Sequence, residues 1–397
     1  MLYGSTLVGV LMGVLSSIVN TRFLDPADYG DVRYVQNIIN FIATFLIFGY
    51  FLSGARLMAI SDDRQHVARI KGMMVLILCV ACCMLCLVMP ICYFLHTTKP
   101  DVAILFLVSM PVCFYPLFLN YIDQTAQGDN QILHLSLARL LPFLLYVPIG
   151  FAFYSLYGAT PMRMILLQWG LYSLIYIGII IATRPAFRDL RPVWRELNDE
   201  NRRYGIQLYI GSLVMVSTNY LAGISLGHFN QDNSEVGFYT LALTVTSPLM
   251  SLPTIIGTTY FKKFAKQPCI PRKVILATVA MTLASGVLFV LLIHPVVRYL
   301  YTDRYAVVGT YASILSIGFC IHGLGDMFNR YLCSHGQGVA VRNASIANGL
   351  FKMVGYTGLV ALFNTNGAIA TTIICDIVYF SCLIFYYIRF TKRASHE

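Results

Sequence analysis

Charged residues are scarce in this chain of 397 residues, because Asp, Glu, Lys and Arg together make up only 12% of it. Ordinary soluble domains carry roughly 25%. Apolar and aromatic residues make up 57%, and the mean hydropathy is +0.69. Such a composition excludes a disordered chain and disfavours a soluble enzyme. It predicts a protein that crosses a membrane many times.

Long polar segments are also missing, apart from one at 183–205. Elsewhere, apolar stretches follow one another with short connections, and a helix needs about 20 such residues to cross the hydrocarbon core. The predicted spans are 3–20, 33–54, 72–95, 102–122, 140–158, 163–182, 206–227, 235–258, 274–294, 306–327, 340–363 and 366–389. The sequence therefore predicts an all-α, polytopic membrane protein with about 12 transmembrane helices and no large extramembrane domain.

Motifs for nucleotide hydrolysis, zinc peptidase and serine hydrolase chemistry are absent. We therefore expect no enzyme activity, no cofactor and no nucleic-acid partner. Cys79, Cys82, Cys83 and Cys86 have the spacing of a ligand set, but they lie inside an apolar span without the polar support that cluster ligands need. We interpret them as small hydrophobic residues and expect no metal site.

Lys and Arg concentrate in alternate connections: of 28, 21 fall on the side of the N-terminus and six on the other. Because cytoplasmic loops are rich in Lys and Arg, both termini are predicted to be cytoplasmic. The Arg-rich segment 183–205 is predicted to be an amphipathic linker on the cytoplasmic leaflet. The first charge is Arg22, so we expect a true first helix rather than a signal peptide, and an N-terminus that is trimmed or starts late.

The two halves of the chain show a weak internal repeat at glycines that follow or precede equivalent spans. The pairs are Gly30 and Gly237, Gly128 and Gly336, and Gly158 and Gly367, with offsets of 207, 208 and 209. Two six-helix repeats in the same orientation are a known transporter plan. The predicted organisation is an N-terminal lobe at 1–182, the linker at 183–205 and a C-terminal lobe at 206–397.

The first two spans carry a short motif. The first helix ends at Arg22, the heptapeptide LDPADYG follows at 24–30, and the second helix ends near Arg56. This segment resembles the opening of Wzx-type polysaccharide and oligosaccharide flippases of the multidrug/oligosaccharidyl-lipid/polysaccharide (MOP) exporter superfamily. The usual family turn reads LGPxxYG, so Asp25 stands where glycine is usual.

The resemblance implies two six-helix lobes around a central cavity in a bacterial inner (cytoplasmic) membrane. It implies that an undecaprenyl-pyrophosphate-linked oligosaccharide, a repeat unit of O-antigen lipopolysaccharide, capsule or exopolysaccharide, moves from the cytoplasmic to the periplasmic leaflet by alternating access. Membrane lipids, a coupling ion (H⁺ or Na⁺) and a polysaccharide polymerase are the partners to expect.

Arginines at helix ends are candidate ligands for the pyrophosphate, because a guanidinium binds phosphate through a bidentate fork. Arg22, Arg56 and Arg139 occupy such positions. The alternative is snorkelling of each side chain to the membrane interface. Asn37 and Asn40 share one face of the second span and are candidates for binding sugar hydroxyls, or for joining helices.

Lys352 and Asp376 lie inside the last two predicted spans, roughly 18 and 20 Å from the cytoplasmic ends at 1.5 Å per residue. Charges inside a membrane usually face a cavity or a partner. One interpretation is a cation for the substrate with Asp376 as a coupling carboxylate. The other is a permanent ion pair between the two residues.

Three other functions stay open. A lipid II flippase is one, although the family member in that role resembles a plan with more helices. A cation-coupled exporter of drugs or small molecules in the same superfamily would share the helix plan but would have a more acidic, aromatic cavity. A membrane polysaccharide polymerase is disfavoured, because we expect such an enzyme to carry a large periplasmic loop, and the predicted connections are short.

Overall fold

The computed structural model describes residues 2–394, with side chains throughout except at 2–7, 10, 208, 211–212, 215, 217, 262 and 393–394. Over this range the chain forms helices and no strand. The α-helices are α1 (Leu2–Phe23), α2 (Pro26–Phe45), α3 (Tyr50–Ile60), α4 (Arg64–Leu95), α5 (Pro100–Ser109), α6 (Tyr115–Gly128), α7 (Ile132–Tyr157), α8 (Pro161–Ala182), α9 (Leu190–Glu200), α10 (Ile206–Phe229), α11 (Ser234–Thr259), α12 (Phe261–Phe264), α13 (Arg272–Tyr301), α14 (Val307–Ser334) and α15 (Gly338–Ala394). A π-helical turn, Asn201–Gly205, joins α9 to α10, and a 3₁₀ turn, Asp303–Tyr305, precedes α14.

The all-α membrane class is confirmed. Seven of the described helices are long and apolar enough to cross a membrane, namely α4, α7, α8, α11, α13, α14 and α15, and the bent pair α2 and α3 would form an eighth span. Helix α15 contains both of the last two predicted spans. Asn364 has a non-helical backbone (φ 49°, ψ −129°) and divides α15 into two helical segments at a kink. The number of about twelve spans stays a prediction.

The second predicted span, 33–54, differs from the helices that form there. Helix α2 already begins at Pro26, whose fixed φ and missing N–H suit the first turn of a helix. The helix ends at Phe45, and α3 begins at Tyr50 after a bend of 58°. Arg33, the first residue of the predicted span, therefore lies about two turns inside α2.

The chain divides into two compact units. The first contains 1–24 and 31–220, and the second contains 25–30 and 221–397. This division differs from the predicted lobes, since the linker belongs to the first unit and the boundary falls inside α10. In the first unit α1 packs on α7, and α6 packs on α3 and α8; in the second, α14 packs on α11, α13 and α15.

The turn motif LDPADYG packs closely within the second unit. Tyr29 is fully buried and meets the ring of Tyr305 edge-on. A Cβ at Gly30 would lie 1.8 Å from the carbonyl oxygen of Asn233, so only glycine fits there. Gly237, the predicted repeat partner of Gly30, packs directly against it. The motif therefore brings the beginnings of α2 and α11 together.

Candidate functional site

A chain of hydrogen bonds runs along the middle of α2 in the first unit. Arg33 Nη1 donates to Gln36 Oε1 at 2.6 Å, and Gln36 Nε2 donates to the hydroxyl of Tyr115 at 2.9 Å. The same hydroxyl donates to Asn40 Oδ1 at 3.2 Å. These four residues, which we call the α2 polar cluster, place one cation and two amides on a membrane-spanning segment.

Aromatic side chains surround the α2 polar cluster. The ring of Tyr115 lies 5.5 Å from that of Trp169 and 6.1 Å from that of Tyr172. Arg33 is close enough to interact electrostatically with the hydroxyls of Tyr115, Tyr146 and Tyr172. The hydrogen bond to Gln36 orients the Arg33 guanidinium, and a guanidinium is a group that binds anions bidentately.

A second set of hydrogen bonds supports the tyrosines from α1 and α8. Asn20 accepts from Tyr146 at 2.5 Å and donates to Gln168 Oε1 at 3.3 Å. Gln168 in turn donates to the hydroxyl of Tyr172 at 3.1 Å. Buried polar groups cost free energy unless they are paired, so this pairing fixes the rings of Tyr146 and Tyr172.

The predicted polar face of α2 contributes Asn40 to the cluster directly. Asn37 lies half-buried on the same helix. Arg33 precedes these two residues by seven and four positions, so all three share one face. The sequence signal for Arg33 was Pro26, which starts the helix a full two turns before the span that hydropathy predicted.

The three predicted arginines lie apart from this cluster. Arg22 is exposed in the last turn of α1. Arg139 forms an ion pair with Asp123 at 3.3 Å. Arg56 pairs with Glu200 at 2.5 Å and lies 4.5 Å from the ring centre of Tyr204, so it contacts the linker region.

A buried carboxylate lies in the second unit. Asp376 Oδ1 is 2.8 Å from His322 Nδ1, and the His322 ring stacks on Tyr379 at 4.6 Å. The Cys375 thiol interacts electrostatically with both Lys352 and Asp376, so Lys352 also belongs to this neighbourhood. The sequence singles out no histidine, and His322 is 54 residues from its partner Asp376.

The network continues from Tyr379 to a second carboxylate. The Tyr379 hydroxyl donates to Asp326 Oδ1 at 3.1 Å, and Thr254 donates to Asp326 Oδ2 at 2.9 Å. Thus α11, α14 and α15 share one polar network. Among the described residues, no three His, Cys, Asp or Glu side chains are grouped to hold a metal ion.

Comparison with known proteins adds to this geometry. Residues 1–261 match the family described as polysaccharide biosynthesis protein. No curated protein sequence matches the chain.

Solved structures share the fold at low sequence identity. A lipid II flippase, MurJ, in an inward closed conformation is similar with a TM-score of 0.74 and 11% identity, over 96% of this chain and 86% of that one. An inward-facing multidrug resistance MATE family transporter of the MOP superfamily is similar with a TM-score of 0.67 and 16% identity, over 99% and 95%. A MOP superfamily transporter from Pyrococcus furiosus gives a TM-score of 0.58 and 15% identity, over 99% and 98%.

Proposed function

The chain belongs to the polysaccharide biosynthesis protein family, and we propose that this membrane transporter flips an undecaprenyl-pyrophosphate-linked oligosaccharide across the bacterial inner membrane. The matched family covers residues 1–261, which include the whole α2 polar cluster. The fold is shared with a lipid II flippase and with multidrug transporters, so the substrate class has to be argued from the side chains.

Arg33 carries this proposal. It is a cation within a membrane-spanning helix, and it is bonded to an amide that leads through Tyr115 to Asn40. A pyrophosphate needs a guanidinium or ammonium partner, and sugar hydroxyls need amide and phenol groups that both donate and accept. The α2 polar cluster combines the two kinds of group.

The proposed roles follow from this chemistry. Arg33 attracts the pyrophosphate, while Asn37 and Asn40 bind sugar hydroxyls from the same helix face. Arg22, Arg56 and Arg139 remain proposed contacts for the headgroup at the helix ends. Alternating access would expose these groups first to one leaflet and then to the other.

Exchange of Arg33 tests the proposal. In cells that depend on this chain for surface glycan, we expect Arg33→Gln to lower surface glycan about ten-fold or more at matched protein abundance, since one charge-assisted hydrogen bond contributes about 1.5–3 kcal/mol. Arg33→Lys keeps the charge and should retain part of the activity. Arg298→Gln, an exposed arginine in α13, is the control.

A cation-coupled drug exporter is the second candidate, because the fold is shared with MATE transporters. A cationic Arg33 disfavours cationic drugs at this position. Drug resistance that is conferred by the chain and unaffected by Arg33→Gln, together with full surface glycan in that variant, would favour the exporter.

We also propose that Asp376 couples transport to a cation, with H⁺ as the preferred ion because His322 is its hydrogen-bond partner. Carboxylates and histidines inside membrane spans are the residue types that form proton relays in transporters. Lys352 would hold the anionic headgroup nearby. In proteoliposomes, a proton gradient should accelerate transport by the native chain and have no effect on Asp376→Asn.

The exposed Asp101 supplies the matched control, because Asp101→Asn removes a carboxylate outside this network. Acceleration of Asp376→Asn by the proton gradient would remove Asp376 from the coupling role. Acceleration by a sodium gradient alone would assign the site to Na⁺.

A further inference from the structure

An apolar groove of about 660 Å³ opens at the surface of the first unit, where the bent second span, α4 and the linker meet. Its floor comes from α4, where Leu76, Val80 and Met84 are all exposed large hydrophobic side chains. Leu46 and Phe48, from the break between α2 and α3, form one wall. Helix α9 also lines the groove, through Leu190, Arg191, Trp194 and Arg195.

The groove has fixed walls. The Trp194 indole of α9 stacks on the ring of Tyr50, with centres 5.6 Å apart and planes at 24°. The buried side chain of Asn201 donates to the carbonyl of Phe48 at 3.1 Å and accepts from Ser53 at 3.1 Å. Tyr50 also donates to Asn198 at 3.2 Å. These bonds attach the linker to the break and keep the groove open.

Two arginines line the groove at its linker side. Arg191 and Arg195 lie four residues apart in α9, so they share one face of the helix, and both are exposed. Two carboxylates of α9 have other partners, since Glu196 pairs with His66 and Glu200 pairs with Arg56. Asp199 is exposed one turn after Arg195 but does not line the groove. The groove is therefore apolar along its length and cationic at one end.

We propose that this groove binds one anionic phospholipid, with an acyl chain along α4 and the headgroup phosphate at Arg191 and Arg195. A phospholipid has the matching distribution of properties, an apolar chain attached to a negative phosphate. Guanidinium groups bind phosphate bidentately, and Trp194 has the amphipathic character that suits the level of the headgroups. The lipid would hold α9 against the break.

Charge decides between anionic and zwitterionic lipids. A phosphatidylcholine headgroup carries a cation beside its phosphate and gains little from two arginines, whereas phosphatidylglycerol keeps its full negative charge. Each Lys or Arg near an anionic surface contributes attraction. The lipid site can be tested independently of the proposed transport substrate, because the experiment measures lipid binding and not transport.

Trp194 reports the occupant directly, since the chain has only two tryptophans and the other, Trp169, is buried. Bromine atoms on acyl chains quench tryptophan fluorescence on close approach. Purified protein would be titrated with brominated phosphatidylglycerol or brominated phosphatidylcholine in mixed micelles. Trp194→Phe measures the background from Trp169.

We expect half-maximal quenching by brominated phosphatidylglycerol at a mole fraction about ten-fold lower than by brominated phosphatidylcholine, given two cationic contacts. Arg191→Gln/Arg195→Gln should bring the two midpoints together. Arg202→Gln/Arg203→Gln removes the same charge from exposed positions in the adjacent π-helical turn and should keep the difference. All four arginines are exposed, so these variants should fold.

Three results would overturn the proposal. The first is an equal midpoint for the two brominated lipids in the native chain. The second is an equal loss of the preference in both double variants, since general attraction to the charged surface would then suffice. The third is relief of quenching by unbrominated undecaprenyl phosphate at a lower mole fraction than by unbrominated phosphatidylglycerol, which would assign the groove to a polyprenyl lipid.

Discussion

At the residue scale, one hydroxyl joins two amides of the α2 polar cluster. Tyr115 accepts from Gln36 and donates to Asn40, and it is itself buried. Tyr115→Phe should lower the thermal unfolding midpoint by several degrees, because an unsatisfied buried polar group costs about 1–3 kcal/mol. Tyr157→Phe, at an exposed tyrosine, should leave the midpoint unchanged. Equal midpoints for both variants would mean that the cluster adds no stability.

Arg56 pairs with Glu200 in the structure and is proposed to contact the substrate headgroup. Substitutions of Arg56 and Glu200 distinguish the two roles. Both side chains of the ion pair are partly exposed, so the pair contributes about 0–1 kcal/mol to stability. If Arg56 also binds the headgroup, Arg56→Ala should impair transport while Glu200→Ala leaves it near the native level. Surface glycan at matched abundance is the measurement. Equal defects in both variants, and rescue by Arg56→Glu/Glu200→Arg, would reduce Arg56 to a linker contact.

Residue types and spacing predicted part of these sites. The polar face of α2 and the intramembrane Asp376 were evident from the sequence, but their partners were not. Gln36 and Tyr115 are 79 residues apart, and His322 and Asp376 are 54 apart. Hydropathy finds a polar residue in an apolar segment, but only packing decides which distant side chain faces it.

At the element scale, the break between α2 and α3 depends on glycine. Gly49 has a φ of +79°, and a Cβ there would lie 2.6 Å from the carbonyl oxygen of Gly205. Gly49→Ala should therefore destabilise the protein by more than about 1 kcal/mol, through positive φ and collision with backbone. Gly178→Ala in α8 meets nothing within 4 Å and should be neutral or stabilising. Thermal unfolding in detergent compares the two, and equal midpoints would contradict the role of Gly49.

Hydropathy predicted the existence of the second span and misplaced its ends. The apolar character continues across Phe48 and Gly49, so no composition signal marks the break. The bend follows from two positive φ values and from contacts with Asn201 in the distant linker. The start was readable from Pro26, whereas the break was not, because its cause lies in tertiary structure.

At the scale of the whole molecule, the predicted topology places residues 230 and 395 on opposite sides of the membrane. With the eleven native cysteines replaced, a cysteine at Asn230 should react with an impermeant thiol reagent added outside intact cells. A cysteine at Ser395, which lies outside the described residues, should react only after the cells are opened. The excess of Lys and Arg on one side is the physical reason. Equal labelling in intact cells would contradict a cytoplasmic C-terminus.

The resemblance predicted a polysaccharide biosynthesis protein, and the family match over residues 1–261 confirms that family. The fold is shared with a lipid II flippase over nearly the whole chain. The substrate is the part that depends on few side chains, above all on Arg33 and its neighbours. A fold shared by lipid flippases and drug transporters cannot distinguish their cargo. A direct test of transport is therefore needed.

The most direct test of the central claim is flipping of a labelled undecaprenyl-pyrophosphate-linked disaccharide by the purified chain in proteoliposomes. A glycosidase added outside removes the label from the outer leaflet only. With the native chain we expect nearly all of the label to become accessible, and with Arg33→Gln or with protein-free vesicles only the outer half. If the native chain also leaves half of the label protected, the chain does not flip this class of lipid.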